Sequence, residues 1–223
     1  MEQNVQLGWF QREVEIPADA VTLPGILGMP KGATGVVLFA HGSGSGRFSP
    51  RNQFVARVLQ EAGFGTLLLD LLTVSESEDR RCVFDIALLA RRLLAATEWT
   101  RQQADLKGLP IGYFGASTGA GAALVAAAHE GKQISAVVSR GGRPDLANGA
   151  LANVTAPTLL IVGGWDQPVI ALNEQAYNEI QAPKKLVIVP RATHLFEEPG
   201  KLEEVSELAT DWFTTHLTKK RVA

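Results

Sequence analysis

The 223-residue sequence predicts an α/β fold, in which helices cover both faces of a mostly parallel β-sheet. Two observations carry this prediction. Short apolar runs rich in Val, Leu and Ile alternate with longer amphipathic stretches, as strands and crossover helices do. The chain is also 46% hydrophobic and only 20% charged, which is enough apolar material for a full core. We therefore expect residues 1–223 to form a single domain.

The strand pattern begins with two runs that are expected to lie antiparallel at one edge of the sheet. In the second run, Pro24 and Gly25 interrupt the pattern, which is typical of an edge strand or a bulge. Eight strands are predicted at about 9–16, 22–29, 35–40, 64–70, 110–115, 134–139, 157–163 and 185–190. Five helices are predicted at about 50–62, 80–103, 118–130, 170–181 and 199–217.

The most informative motif is Gly115-Ala116-Ser117-Thr118-Gly119, which follows the fifth predicted strand and opens an Ala-rich helix. A serine between two glycines at this spacing is typical of a nucleophile elbow, the sharp strand-to-helix turn that exposes a reactive hydroxyl. The glycines are needed because a Cβ at either position would collide with neighbouring backbone. The alternative is a Gly/Ser turn that only reverses the chain. The order of strand, turn and helix favours Ser117 as a nucleophile.

A serine hydroxyl needs a base to take its proton, and the chain has four histidines. His194 directly follows a strand-like run, at the carboxyl edge where the sites of open parallel sheets gather. His129 and His216 fall in predicted helices, and His41 opens a glycine loop, where we expect it to shape the backbone. A loop histidine without a role is the alternative for His194, which we predict to be the base.

The acid that orients the base should lie between Ser117 and His194, because hydrolases with this elbow keep the order Ser, acid, His. Asp166 fits, since it follows a buried strand run that ends in two glycines. Asp145 is the competing candidate, but Arg143 or the next helix start could occupy its carboxylate as an ion pair or an N-cap. The sequence favours Asp166.

Backbone N–H groups must also face the negative charge that develops on an attacked carbonyl oxygen. Thr118, the residue after the nucleophile, should supply one of them. The glycine loop at 41–47 should supply the other, from Ser43 or alternatively from Gly42 or Gly44. A phosphate cradle is the other interpretation of this loop. It is disfavoured because the loop lacks the Lys and Ser/Thr ending of a P-loop and the glycine spacing of a dinucleotide site.

Seven segments together carry a resemblance to a known family: His41–Gly44, Ser49–Asn52, Leu69–Leu72, Gly115–Gly119, Ser139–Pro144, Gly163–Asp166 and Thr193–Glu197. In these segments the chain resembles the α/β-hydrolases, and more narrowly the small dienelactone hydrolase-like proteins. The resemblance covers nearly the whole chain and implies an α/β-hydrolase fold. Relatives of this subgroup are in some cases joined to a phosphoribosyltransferase-like domain, which is not expected within these 223 residues.

Two positions depart from what the resemblance implies. Dienelactone hydrolases proper use a cysteine nucleophile, whereas the elbow here carries Ser117. Because of this difference, we expect the activity of a general carboxylesterase rather than the hydrolysis of dienelactones. In similar sequences a glycine is expected where Arg191 stands, close to His194.

Composition and charge argue against several kinds of partner. A net charge of −2 and a pI near 6.1 provide no electrostatic footprint for nucleic acid or an anionic membrane. The chain shows neither a leader pattern nor a bilayer-spanning run, so we expect a cytoplasmic protein. We expect no cofactor, and no His/Cys/Asp cluster has metal-ligand spacing. The lone cysteine, Cys82, is interpreted as a buried structural thiol, and Lys219–Arg221 as a solvated helix end.

The region around the predicted triad favours small substrates. Only residues 140–156 are available for a lid between the sixth and seventh strands, too few for a large cap. Arg140 and Arg143 could clamp a substrate carboxylate, or one of them could pin the loop, for example by pairing with Asp145. Three aromatic residues near the catalytic loops could form an apolar wall or, alternatively, pack in the core: Phe48, Trp165 and Phe196.

The predicted function is two-step acyl transfer on small ester or lactone substrates. Ser117 attacks the carbonyl carbon, His194 takes and returns the proton, and Asp166 orients the imidazole. One alternative is a non-catalytic binding or regulatory protein on a hydrolase scaffold. Another is a thioester or dienelactone hydrolase that uses the same residues. The sequence leaves the oligomeric state open.

Overall fold

The structure, a computed structural model, describes residues 9–217. Eight strands form one sheet: β1 Trp9–Ala18, β2 Val21–Pro30, β3 Val36–Ala40, β4 Gly65–Leu69, β5 Ile111–Ala116, β6 Ile134–Arg140, β7 Thr158–Gly163 and β8 Lys184–Val189. Their order across the sheet is β1-β2-β4-β3-β5-β6-β7-β8. The β1–β2 and β2–β4 pairs are antiparallel, and the other neighbouring pairs are parallel. The predicted mostly parallel sheet with an antiparallel N-terminal edge is confirmed.

Helices cover both faces of this sheet. The α-helices of the described residues are α1 Pro50–Glu61, α2 Val74–Glu78, α3 Arg80–Val83, α4 Ile86–Gln102, α5 Thr118–Glu130, α6 Gln167–Glu179 and α7 Lys201–His216. The described residues also form two 3₁₀ segments, Gly131–Gln133 and Pro144–Asn153. The core has two layers, one between the sheet and α1 with α7, the other between the sheet and α4 with α5. This architecture confirms the predicted fold class.

The predicted second strand exists, but it is not an edge strand. β2 pairs with β1 along its whole length and with β4 over Gly25–Gly28. Pro24 stands just before the stretch that pairs with β4, so its missing N–H interrupts no bond of that ladder. Its carbonyl oxygen accepts a bond from the backbone N–H of Asp70 at 3.0 Å.

The helix predicted at 80–103 is in fact two helices, because the chain breaks between α3 and α4 at Phe84 and Asp85. Asp85 caps α4 by accepting the N–H of Leu88 at 2.9 Å, and Asp79 caps α3 in the same way. Helix α2, which was not predicted, starts with a capping box. Residues 70–85, from the end of β4 to the start of α4, are called the β4–α4 segment below.

Residues 141–157, the β6–β7 segment, pack down onto α5 and α6. Ala147 and Leu151 are buried in the core layer beneath them. The side-chain amide of Asn173 on α6 donates to the carbonyl oxygen of Gly142 at 3.0 Å. The 3₁₀ turns are kinked at Asn148. The segment therefore lies flat beside the elbow and forms no cap over it.

The sequence analysis also made predictions about membrane spans, metal clusters, the cysteine and the basic C-terminal residues. Between residues 9 and 217, no helix combines the length and apolarity needed to cross a bilayer. In the same range, no three His, Cys, Asp or Glu side chains group so as to hold a metal ion. Cys82 is half-buried against the core, in the short α3 rather than in a long helix. Lys219–Arg221 lie outside the described residues.

Candidate active site

Ser117 occupies the turn between β5 and α5 and has the strained backbone of an elbow, with φ 51° and ψ −123°. A non-glycine residue in this conformation costs roughly 1–3 kcal/mol, which surrounding contacts must offset. The flanking glycines make the turn possible. A Cβ on Gly115 would come within 2.5 Å of the Cα of Ala120, and one on Gly119 would overlap the carbonyl oxygen of Ala40.

His194 lies beside Ser117 on the loop that follows β8. Its Nε2 is 3.4 Å from the Oγ of Ser117, and its Nδ1 is 2.6 Å from the Oδ2 of Asp166. The carboxylate can only accept, so Nδ1 carries the proton that it donates to Asp166. In the neutral ring Nε2 is then an unprotonated acceptor that faces the serine hydroxyl.

Asp166 stands at the N-cap position of α6, directly after β7, yet its side chain caps no helical N–H. Its carboxylate is turned to His194 instead, while the positive end of the α6 dipole favours its charge. A backbone bond of 2.9 Å from the N–H of Trp165 to the carbonyl oxygen of Ala192 joins the two loops. The structure therefore brings together the three residues that the sequence analysis predicted as a triad.

The loop after β8 makes close contacts beneath the histidine. Gly141, with φ 49°, lies where a Cβ would come within 2.8 Å of the His194 carbonyl oxygen. Arg191 has φ 58°, a left-handed conformation that favours glycine. The glycine expected at position 191 from similar sequences is thus explained by backbone geometry, and the loop holds its turn here at some cost.

The glycine loop after β3 lies on the other side of Ser117. His41 is buried, donates from Nδ1 to the carbonyl oxygen of Gly42 at 2.9 Å, and accepts the N–H of Leu71 on Nε2 at 2.9 Å. Burial lowers the pKa of His41 below its ordinary value, although the Gly42 carbonyl and Asp70 oppose the shift. His41 is therefore a neutral, backbone-shaping residue.

A cavity of about 260 Å³ opens next to the elbow. Its lining includes Gly42, Ser43 and Thr118, so both predicted oxyanion donors border one space. It also includes three apolar side chains that the sequence analysis missed, Leu72, Val83 and Leu89. The signal that could have found them is in the capping pattern, since Thr73 and Glu76 mark the start of a helix and Asp85 marks the start of another.

A wider groove of about 490 Å³ continues from Ser43 to Phe48. Phe48 is 58% exposed and stacks with the guanidinium of Arg47, whose carbon is 4.2 Å from the ring centroid. Asp70 holds this loop by accepting the backbone N–H of Arg47 at 2.6 Å and pairing with its guanidinium. Trp165, next to Asp166, is 60% exposed.

The prediction that Phe196 forms part of an apolar substrate wall is wrong. Phe196 is only 1% exposed and packs in the core layer with α1 and α7. The reason is its backbone, whose φ of 56° forms a left-handed turn two residues after His194. The core-packing alternative applies to this residue, and the aromatic residues open to solvent near the site are Phe48 and Trp165.

The two arginines predicted as a carboxylate clamp differ in their surroundings. Arg143 makes two bonds of 2.8 Å to Asp145, which pins the start of the β6–β7 segment and also occupies the competing acid. Arg140 is only 6% exposed, and its Nε and Nη1 have no hydrogen-bond partner among the described residues. Burial, with a smaller effect of the Arg51 charge, lowers the pKa of Arg140 to about 10.

The sequence model of the dienelactone hydrolase family matches residues 23–217. The chain belongs to this family. A Mycobacterium tuberculosis protein, known from two strains and provisionally named a phosphoribosyl transferase, is 58% identical over 205 residues, which are 92% of this chain and 46% of the relative. The chain thus spans about half the length of these curated relatives.

Solved structures agree with the family. A dienelactone hydrolase from Anabaena variabilis is 58% identical and superimposes with a TM-score of 0.92, over 94% of this chain and 99% of that one. Est1E from Butyrivibrio proteoclasticus is 18% identical with a TM-score of 0.78, over 91% of this chain and 98% of that one. The second similarity shows a shared fold alone.

Proposed function

We propose that this member of the dienelactone hydrolase family is a serine hydrolase of the carboxylesterase type, which cleaves small ester or lactone substrates. The observation that carries the proposal is the line of bonds Ser117–His194–Asp166 at a strained elbow, with distances of 3.4 and 2.6 Å. The longer distance is compatible with this role, because catalytic hydrogen bonds of unliganded enzymes are often long and shorten when substrate binds.

The reaction proceeds in two halves. Ser117 Oγ attacks the ester carbonyl carbon while His194 Nε2 takes its proton, and the new C–O bond leaves negative charge on the carbonyl oxygen. His194 then returns the proton to the leaving alcohol as the original C–O bond breaks. Water repeats the sequence on the acyl-enzyme, which releases the acid and restores Ser117. Asp166 keeps the proton on Nδ1 throughout and stabilises the imidazolium that forms.

The oxyanion is assigned to the backbone N–H groups of Thr118 and Ser43. Thr118 is the first residue of α5, so its N–H is among those that an α-helix leaves without an internal partner. Ser43 borders the same cavity. Charge that develops there would be stabilised by these preorganised dipoles.

The proposed substrate contacts are chosen from side chains near the triad that are exposed or have free hydrogen-bonding groups. Phe48 and Trp165 offer apolar surface beside the site. Arg140 is the arginine available to an anionic group, because Arg143 is already paired with Asp145. By the two-residue period of β6, Arg140 shares the sheet face of Val138 and of the α1–α7 layer. Since the next residue, Gly141, lies under His194, we assign such a group to the leaving-alcohol side.

The name of the Mycobacterium tuberculosis relatives raises phosphoribosyl transfer as another activity. Those proteins are about twice as long as this chain, which covers 46% of them. The part that matches is also the part that carries the hydrolase family pattern. We therefore assign no residue of this chain to phosphoribosyl transfer.

The cytoplasmic location expected from the sequence stays a prediction.

The test is labelling of the intact protein with a fluorophosphonate, read by mass spectrometry, beside hydrolysis of p-nitrophenyl acetate. We expect one adduct on Ser117, and loss of both labelling and turnover in Ser117→Ala. Ser135→Ala is the matched control, because Ser135 lies at the amino end of β6, at the opposite edge of the sheet from the elbow. Absence of an adduct on folded wild-type protein would contradict the proposal and favour the binding or regulatory alternative.

A further inference from the structure

The cavity of about 260 Å³ beside the elbow has walls from two separate parts of the chain. Ser43 and Thr118, which hold the carbonyl oxygen in the proposed mechanism, border one part of it. Leu72, Val83 and Leu89 form the apolar part of the remaining wall, together with Ser45 and Ser77, and Val83 comes from the β4–α4 segment. A group bound at the oxyanion site therefore has a partly enclosed space with an apolar wall directly next to it.

The mechanism decides which half of an ester enters this space. The leaving alcohol must lie next to His194 Nε2, since that atom returns the proton to it. Thr118, next to the nucleophile, lines the cavity, whereas Ser117, His194 and Asp166 do not. The acyl group, on the other side of the carbonyl carbon, is the half that points toward Val83. The alcohol half lies near Trp165, which is open to solvent.

The lining selects for uncharged groups. Among the residues that the structure describes, the lining includes no Asp, Glu, Lys or Arg, and its histidine, His41, is neutral and bonded on both ring nitrogens. A carboxylate placed there would lose its hydration without gaining a charged partner. Leu72 and Leu89 are buried, so their side chains offer apolar surface that an alkyl chain would cover.

Hydrogen bonds fix the position of the β4–α4 segment, which forms part of the cavity wall. Glu76 on α2 closes a capping box with Thr73 and accepts a bond from Arg92 on α4 at 3.1 Å. Arg92 is itself buried and also donates to the carbonyl oxygen of Ala18. Because these bonds tie α2 to α4 and to the end of β1, the depth of the cavity is set by the fold.

We propose that this cavity is the acyl-binding site of the enzyme, that it takes short uncharged acyl chains, and that Val83 sets the chain-length limit. The proposal rests on the proposed function, whose serine it shares. A cavity of about 260 Å³ has room for a chain of about six to eight carbons, since a water-sized group takes roughly 30 Å³.

The experiment measures kcat/KM of the full chain on p-nitrophenyl esters from acetate to decanoate, for wild type, Val83→Ala and Val83→Phe. One methylene in an apolar pocket changes kcat/KM by about tenfold or more, so we expect wild type to lose at least that factor beyond the limit. Val83→Ala should raise the decanoate-to-butyrate ratio by about tenfold. Val83→Phe should lower the hexanoate-to-acetate ratio by about tenfold.

Val187→Ala and Val187→Phe are the matched controls. Val187 is half-buried like Val83, lies on β8 and borders neither the cavity nor the groove. Its variants should keep the wild-type chain-length profile. A profile that moves with Val187 as much as with Val83 would overturn the proposal, because it would then report general loosening of the fold.

Phe48→Ala separates the cavity from the groove that leads to Phe48. If the limit moves in Phe48→Ala and stays unchanged in both Val83 variants, the acyl chain lies in the groove and the proposal is overturned. Failure of the proposed function gives a different result. In that case wild-type protein shows neither a fluorophosphonate adduct nor turnover of any ester, including acetate.

Discussion

Two segments of similar length leave the carboxyl edge of the sheet beside the elbow, and they take opposite roles. The β6–β7 segment lies where a lid was considered from the sequence, yet it packs flat on α5 and α6. The β4–α4 segment, in which the sequence predicted only the start of the helix at 80–103, contributes Leu72 and Val83 to the cavity. The difference teaches that anchoring, more than length, decides whether a loop covers a site. Buried apolar residues anchor the β6–β7 segment on the helices below it, whereas the β4–α4 segment forms short capped helices beside the cavity.

The largest effect is expected from a comparison of two aspartates, Asp166 of the predicted triad and Asp145 of the β6–β7 segment. Asp166→Asn should lower kcat on p-nitrophenyl acetate by a factor on the order of 10⁴, because an amide no longer fixes the imidazole tautomer. Asp145→Asn, in the β6–β7 segment, should leave kcat within about twofold, since a partly exposed ion pair contributes little. Equal losses in both variants would show that the β6–β7 segment takes part in the site and would break the comparison.

A smaller effect tests the anchoring of the β6–β7 segment. The Asn173 amide is buried and donates to the carbonyl oxygens of Gly142 and Val169 at 3.0 and 2.8 Å. Asn173→Ala removes the side-chain donor from the Gly142 carbonyl oxygen and should lower the free energy of unfolding by about 1–3 kcal/mol, measured by urea denaturation. The chain-length profile should not change. A changed profile would mean that this segment, too, shapes the acyl site.

Arg140 stands where the β6–β7 segment leaves the sheet, and its charge is buried without a partner for Nε and Nη1 among the described residues. Arg140→Met should raise the free energy of unfolding by about 1 kcal/mol, because the variant avoids desolvation of an unpaired charge. It should also lower kcat/KM on the acetate ester of 4-hydroxybenzoate and spare phenyl acetate. Lower stability with equal losses on both esters would identify Arg140 as a structural residue instead.

The smallest effect concerns pH and the β4–α4 segment. Burial by itself would raise the pKa of Glu76, but hydrogen bonds from Thr73 and the charge of Arg92 outweigh it, so the pKa lies below its ordinary value of 4.5. A lowered carboxyl pKa contributes stability that is complete above the unfolded-state pKa and is lost as pH falls through the folded-state value. Glu76→Gln should remove this contribution.

The measurement is urea denaturation of wild type and Glu76→Gln between about pH 6 and about pH 3. The wild-type advantage should shrink as pH falls across this range. A constant difference between the two proteins would show that the Glu76 charge does not help to hold the wall of the cavity.

Much of this protein could be predicted from local signals. The eight strands lie within a few residues of their predicted positions, because buried parallel strands are short continuous apolar runs. The break between α3 and α4 was missed, since the amphipathic pattern continues through it and only the caps at Asp79 and Asp85 mark it. Phe196 was misplaced because its left-handed turn has no sequence signal of the kind that glycine provides.

By itself the sequence determined the fold class and the candidates Ser117, Asp166 and His194, because hydrophobic period and glycine spacing are local properties of the chain. Only the tertiary structure decided that Ser117 and His194, 77 residues apart, come within 3.4 Å. It also decided that Phe196 is core and that Val83 faces the cavity. Arg143 pairs with Asp145, whereas Nε and Nη1 of Arg140 have no partner within residues 9–217. These outcomes depend on which surfaces pack together, and packing joins residues that are distant along the chain.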